Sequence, residues 1–239
     1  MKVAIIFIGT AKYLNFLPQF YENSERFLFT DVEKRYFVFS DGGIDGLPDN
    51  VTLIPQENYG FPKINLLTYE IIENSWDKIS ECDYLLFLDA DALPVTDITF
   101  DELFGNGKPL FCVHHPCHYL KMTPHDKFPG SFDTNPKSTA CVNEGESFDV
   151  YWQSCVWGGT IDACKELVST LAENNRIDTN NGVMALWHDE SQMNRYLLSN
   201  SEKVHTLHPQ YAYPEVFKNM LDWEPKIVHL AKENSEYQV

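Results

Sequence analysis

At 239 residues, with 44% apolar and 14% aromatic side chains, the chain has material for one sizeable core, which excludes a disordered tail and a small disulfide scaffold. Its 35 acidic residues outweigh 18 basic ones, giving a formal charge of -17, so no nucleic-acid partner is expected. An anionic ligand would need a divalent cation, or backbone N–H groups aimed at it.

The opening MKVAIIFIGTAKY has one lysine and an apolar run, but the run is only strand-length, ends in Gly-Thr and lacks a small-residue cleavage pattern. No window approaches the roughly 20 apolar residues of a membrane span. A soluble, cytoplasmic protein without a transmembrane segment is the expectation. VAIIFIG (3–9) reads as a buried strand, and YLNFLPQFYENSERFL (13–28) has helical apolar spacing despite Pro18. RYFVFS and VTLIP are further strands across a Gly/Asp/Pro-rich turn. One helix is expected from Pro62 to Ile79, with Ile64, Leu67, Ile71 and Ile72 inward. DYLLFLDAD is the next strand, and this alternation predicts a parallel α/β sheet. PLFCVHH continues as strand, whereas residues 116–147 lack periodicity and read as a functional or mobile loop. FDVYWQSCVWGGT gives a strand and tight turn, followed by helices over IDACKELVSTLAENNR and DESQMNRYLLSN. Nothing marks an internal boundary, and six scattered cysteines without a CxxC pair read as free thiols.

Asp89 and Asp91 stand just past a strand's carboxyl end, where open α/β sheets bind ligands. At i and i+2 in extended backbone they point the same way and can share one hard divalent cation. Turn capping is the alternative. A second is an aspartate nucleophile of the phosphatase type, although such a D-x-D usually follows the first strand and is followed by Thr or Val, where Leu93 stands here. His188, Asp189, Glu190 and Ser191 crowd a helix start, where acids are stabilised and Asp or Ser can cap. Trp187 and His188 beside two acids also suit sugar binding and acid/base work. Gly158 and Gly159 permit either close approach to a ligand or a tight turn before a helix at Ile161. His114 and His115 end a strand, a place where histidine is often simply surface or core.

In this order, IFIGTAKY, LLFLDAD, HHPCHY, YWQSCVWGGT, WHDESQMNRYL and LHPQY resemble the retaining family-six glycosyltransferases, which include the blood-group A and B transferases and the α-1,3-galactosyltransferase. The most specific segment is WHDES, followed by an asparagine three places on. The resemblance covers nearly the whole chain. It implies a GT-A fold and a single catalytic domain over 1–239, with 1–95 mainly holding UDP and metal and 96–239 mainly donor sugar and acceptor. It implies transfer of galactose or N-acetylgalactosamine from a UDP donor to a galactoside 3-hydroxyl, with retention. The acceptor would be an oligosaccharide with terminal galactose, fucosylated or not.

By this resemblance Asp89 and Asp91 are ligands of Mn²⁺ (or Mg²⁺), with Ala90 between them in the donor site. Ile8, Gly9, Thr10 and Tyr13 cradle uridine, while Gln153, Ser154 and Cys155 tune donor choice above Gly158 and Gly159. Trp187, His188 and Asp189 contact donor sugar and acceptor, His115 touches the acceptor, and Glu190 is the carboxylate beside the anomeric carbon. Cys155, where a smaller side chain leaves room for an N-acetyl group, tilts the donor towards UDP-galactose. Several positions depart from the pattern. The membrane anchor and stem of mammalian members are missing, which suggests a catalytic domain of bacterial or viral type. Both aspartates are kept where many bacterial members carry N-x-N, favouring metal dependence. Thr68 replaces a basic residue, for which Lys63 is a substitute; Lys226 and Lys232 are candidates for the phosphates; and Pro214 stands where an acceptor-binding aspartate is expected.

Overall fold

The computed structural model describes residues 1–122, 131–146, 148–218 and 221–232. In β1 (Lys2–Ile8), Val3 to Phe7 are fully buried, as a β-branched and aromatic run without a polar break requires. A 3-10 turn over Ala11–Phe16 enters α1 (Leu17–Phe27), and Pro18 falls in its first turn, where a missing N–H breaks no helical bond. Lys34, near the start of β2 (Glu33–Ser40), is buried. Its ammonium donates to the carbonyls of Ser24, Glu25 and Leu28 at 3.2, 3.1 and 2.9 Å, capping the carboxyl end of α1.

After β3 (Val51–Pro55), the helix expected over 62–79 is three short ones: α2 (Lys63–Leu66), α3 (Thr68–Glu73) and α4 (Trp76–Ile79). The break at Leu67, with ψ at 4°, is held from outside. Asn175 donates to the Leu66 carbonyl at 2.8 Å and to Glu70 at 2.9 Å, so a distant residue takes up an oxygen the helix would use.

The remaining elements are β4 (Tyr84–Leu88), β5 (Ala92–Pro94), α5 (Phe100–Phe104), β6 (Leu110–His114), α6 (Pro116–Tyr119), β7 (Trp152–Thr160), α7 (Ile161–Asn180), α8 (His188–Ser199), β8 (Val204–Leu207), β9 (Tyr213–Pro214) and β10 (Ile227–His229). Seven strands form one sheet in the order β3-β2-β1-β4-β7-β6-β8. All pairs are parallel except those of β7 with β4 and β6. Separate apolar clusters cover the two faces, one around Phe7, Phe20, Leu86 and Phe111, the other around Ile6, Tyr69, Trp157 and Leu171. The molecule is thus α/β with a mostly parallel central sheet flanked by helices, the GT-A-like arrangement expected.

Two expectations are corrected. Gly158 and Gly159 are not a tight turn but strand residues near the carboxyl end of β7. A Cβ on Gly158 would lie 2.3 Å from the Leu85 carbonyl oxygen, and one on Gly159 would lie 2.1 Å from that of Pro109. Neighbouring strands therefore fill the space a ligand would need at either glycine. Nor is the 116–147 segment one long loop: α6 occupies its start, and 123–130 and 147 lie outside the described residues. Residues 131–146 are tied to α7, where the buried Asp178 accepts from Ser138 Oγ at 2.7 Å and Thr139 N at 2.8 Å.

On the sheet, β2 and β3 lie on one side of β1 and β4 on the other, so the strand order reverses at the β1/β4 pair. A crevice opens there, at the carboxyl ends of these strands. A second small sheet, β5-β10-β9, carries the chain's last described residues back to it. Among the described residues, all six cysteines are free and no helix is long and apolar enough to cross a membrane.

Candidate active site

Beyond β1 the chain must turn sharply. A Cβ on Gly9 would fall 2.3 Å from the Phe7 ring, so only glycine fits here, and Ala11 follows at φ 49°. Thr10 Oγ1 meets Asn58 Oδ1 at 3.3 Å. Ile8, Thr10 and Tyr13 line one wall of a cleft whose other walls are Asn65 and Thr68 on one side and Asp89, Ala90 and Asp91 on the other. Asn58 carries no sequence signal beyond being polar in a Pro- and Gly-flanked connection, and Asn65 none beyond being a polar residue of α2.

The D-x-D is not extended backbone. Strand β4 ends at Leu88, and the Ala92 N–H donates to the Asp89 carbonyl at 2.9 Å, closing a turn from which both carboxylates still reach one point. The third member of the cluster comes from far along the chain. β10 pairs antiparallel with β5, the Leu230 N–H donates to the Asp91 carbonyl at 3.0 Å, and His229 Nε2 comes to rest 3.2 Å from Asp91 Oδ1 and 3.8 Å from Asp89 Oδ2. Ligand atoms of Asp89, Asp91 and His229 all lie within 4.8 Å of one another. Lys232 pairs with the other Asp91 oxygen and rests over the Tyr13 ring. Lys226 does not reach the cleft, since its ammonium binds Glu102 at 2.9 Å and the Asp97 carbonyl at 2.8 Å. Lys63 lies over the Tyr59 ring.

The second carboxylate group stands opposite. His188 begins α8 at φ 50°, a left-handed conformation that a non-glycine residue holds only under constraint. The Trp187 N–H donates to Ser191 Oγ at 2.9 Å, and the Trp187 indole donates to Ser131 at 3.1 Å. Glu190 is gripped at both oxygens, by the Tyr151 hydroxyl at 2.9 Å and the Ser154 N–H at 3.2 Å. Asn194, one turn on, donates to the Trp152 carbonyl at 2.7 Å and to the Glu190 carbonyl at 2.9 Å. It also accepts from Trp152 N at 2.8 Å, so α8 is bolted to β7. Cys155 is buried beside them, and its carbonyl accepts from the Asp89 N–H at 2.9 Å. His115 is buried too; its Nδ1 accepts from the Cys117 N–H, and its ring packs against Tyr151, so it meets Glu190 only through that tyrosine.

Four acids so close together disturb one another. Burial, then the neighbouring Asp91, pushes Asp89 up to about 6; burial, then Asp89 and Glu190, raises Asp189 well above the usual carboxylate range. Burial pushes Glu190 up to about 7, against the pull of its Ser154 and Tyr151 donors. For Asp91 burial is outweighed by the charges of His229 and Lys232, which hold it low. The His229 Nε2 is buried without a well-aligned hydrogen bond. A nitrogen left so, facing two carboxylates, fits a divalent cation: one imidazole and two carboxylates are a suitable donor set.

The profile of glycosyltransferase family 6 matches residues 1–239. The chain belongs to that family. A Homo sapiens globoside α-1,3-N-acetylgalactosaminyltransferase 1 is 26% identical over 224 residues, covering 90% of this chain and 62% of the relative. The Escherichia coli O-antigen biosynthesis glycosyltransferase WbnI is 26% identical over 242 residues, 99% of this chain and 97% of the relative. A Rattus norvegicus histo-blood group ABO system transferase 1 is 26% identical over 230 residues, 92% and 62%. The chain therefore spans less than two thirds of two of these relatives and nearly all of the third. The acid cluster at the strand ends is the candidate active site of this family-6 chain. His229 and Tyr151, like Asn58 and Asn65, are site residues that the sequence did not assign.

Proposed function

We propose that this chain is a metal-dependent retaining transferase that moves galactose or N-acetylgalactosamine from a UDP donor to the 3-hydroxyl of a terminal galactoside. The observation that carries this reading is the meeting of Asp89, Asp91 and His229 at the β4 end with a Glu190 held at both oxygens on the adjoining α8. The names of the relatives, which include α-1,3-N-acetylgalactosaminyl and ABO transferases, support the reaction type.

Asp89, Asp91 and His229 would hold Mn²⁺ or Mg²⁺. A divalent ion there supplies positive charge that offsets a diphosphate and draws the surrounding carboxyls towards their ionised form. Tyr13, Thr10 and Asn65 line the uridine end of the cleft, and Lys232 is the cation nearest the phosphates. Glu190, ionised and fixed in direction, stands ready to attack the anomeric carbon or to stabilise positive charge there while UDP departs. Trp187, His188 and Asp189 flank it for the sugars. Cys155, beneath Glu190, leaves less room than a smaller residue and favours UDP-galactose. An uncharged glycan with terminal galactose is the acceptor, and the cytoplasm is the proposed compartment.

The test is UDP release from UDP-galactose and UDP-N-acetylgalactosamine, with galactoside acceptors, in Mn²⁺ and in EDTA. Release should be faster with UDP-galactose, stimulated by acceptor and lost in EDTA. Glu190→Gln should lower it about a thousandfold or more, while His229→Ala should raise the Mn²⁺ concentration needed. A phosphatase with Asp89 as nucleophile would leave Glu190→Gln nearly silent, and a glycan-binding protein would release no UDP at all. Either result overturns the proposal.

A further inference from the structure

Asp133 is a buried carboxylate, only 3% exposed, that the reaction just described does not use. Its Oδ2 accepts from the Leu186 N–H at 2.8 Å and its Oδ1 from the Asn135 N–H at 2.7 Å, while its own carbonyl accepts from the Val142 N–H at 2.7 Å. Burying a carboxylate is costly unless donors replace its water, and here two backbone N–H groups do so. One of them, on Leu186, belongs to a distant part of the chain.

Leu186 lies in the turn that leads into α8. The His188 N–H donates to the Ala185 carbonyl at 3.1 Å and closes that turn, with Trp187 at φ -117° and ψ 38° and His188 at φ 50°. A left-handed histidine persists only where its surroundings fix it. Apolar packing does not fix Leu186, whose side chain is 43% exposed. Polar bonds hold the turn instead: Asp133 on the Leu186 N–H, Ser191 on the Trp187 N–H and Ser131 on the Trp187 indole. Asp133 and Ser131 sit on one segment, which Ser138 and Thr139 anchor to Asp178 of α7, so the turn is held from a fixed frame. Glu190 is gripped separately by Tyr151 and Ser154, and the Asp89, Asp91 and His229 cluster stands on other elements.

We propose that Asp133 is a positioning residue, which fixes the 185–188 turn and so aims Trp187 and His188 at the sugars without acting on the nucleotide or the cation. This rests on the transferase reading for what Trp187 and His188 face. Asp133→Asn tests it at nearly constant volume, because the amide keeps one acceptor and turns an N–H towards one of the two backbone donors.

Fluorine NMR of the 5-fluorotryptophan-labelled full chain, with the Trp187 line assigned from Trp187→Phe, reads the turn without turnover. That line should shift or broaden in Asp133→Asn, and also in Ser131→Ala, which removes the indole's acceptor without disturbing a buried charge. The KM for lactose should rise about tenfold in Asp133→Asn, the scale of one hydrogen bond to a charged group, while UDP affinity in Mn²⁺ by isothermal titration stays unchanged. Circular dichroism confirms that each variant is folded. An unmoved Trp187 line or an unchanged KM in folded Asp133→Asn overturns the proposal. So does a parallel loss of UDP affinity, which would make Asp133 a support of the fold as a whole. A shifted line in a chain whose wild type releases no UDP would instead overturn the transferase reading and leave the hold of Asp133 on the turn standing.

Discussion

Glu190 illustrates how far one residue's chemistry is set by its neighbours. Burial favours its protonated form and pushes the carboxyl up to about 7, and the Tyr151 hydroxyl, which burial keeps protonated, opposes this by donating to the ionised oxygen. A raised carboxyl means that the folded state holds its proton more tightly than the unfolded chain, so stability is greatest below the ordinary carboxylate range and falls as pH rises towards 7. Activity runs the other way: ionised Glu190 is the working form, so kcat/KM should climb through pH 7. Tyr151→Phe removes a bond to the charged form and should move that acidic limb upward by about one pH unit, on the scale of a hydrogen bond to a charged group. A limb that stays in place in the pH profile of Tyr151→Phe would mean another group controls it. His229 runs in the same sense for stability, since Asp91 raises its imidazole despite burial and the folded state again holds the proton more tightly.

At the scale of elements, what the sequence displayed was local. The buried strands β1 and β4, the long helix α7 and the start of α8 could be read from periodicity, and so could the D-x-D and WHDES positions. The break of the 62–79 helix at Leu67 could not, because it is held by Asn175 on α7. His229 was equally hidden: it sits on a three-residue strand with too few side chains to show alternation, and only pairing with β5 brings it to Asp91. Tyr151 was visible within YWQSCVWGGT, but its partner is on another element. Asn194 is the clearest case of an element-level device, because one side chain satisfies both backbone groups of Trp152 and the Glu190 carbonyl. Asn194→Leu should leave both Trp152 backbone groups buried and unpaired, costing about 2–4 kcal/mol, and should let Glu190 drift from Ser154. Urea unfolding measures the first and kcat the second. A loss under about 1 kcal/mol would show that α8 and β7 hold together by packing alone.

For the whole molecule the governing quantity is the formal charge of -17. A UDP-sugar is itself anionic, so the long-range field repels the donor, and attraction begins only within reach of Lys232 and a cation held by Asp89, Asp91 and His229. The two forces have different ranges, and salt separates them. At about 0.1 M the screening length is about 10 Å, enough to mute charge spread over the surface while leaving pairs in direct contact largely intact. Raising NaCl from about 20 to about 200 mM, at saturating Mn²⁺, should therefore increase donor kcat/KM, where an oppositely charged pair would lose it. The melting temperature should rise over the same range, because self-repulsion weakens in the folded chain. A steady fall of kcat/KM with salt would place control of donor capture in the local cations alone. A rise in both places it in the global charge, with the metal cluster acting only after the donor has entered the cleft.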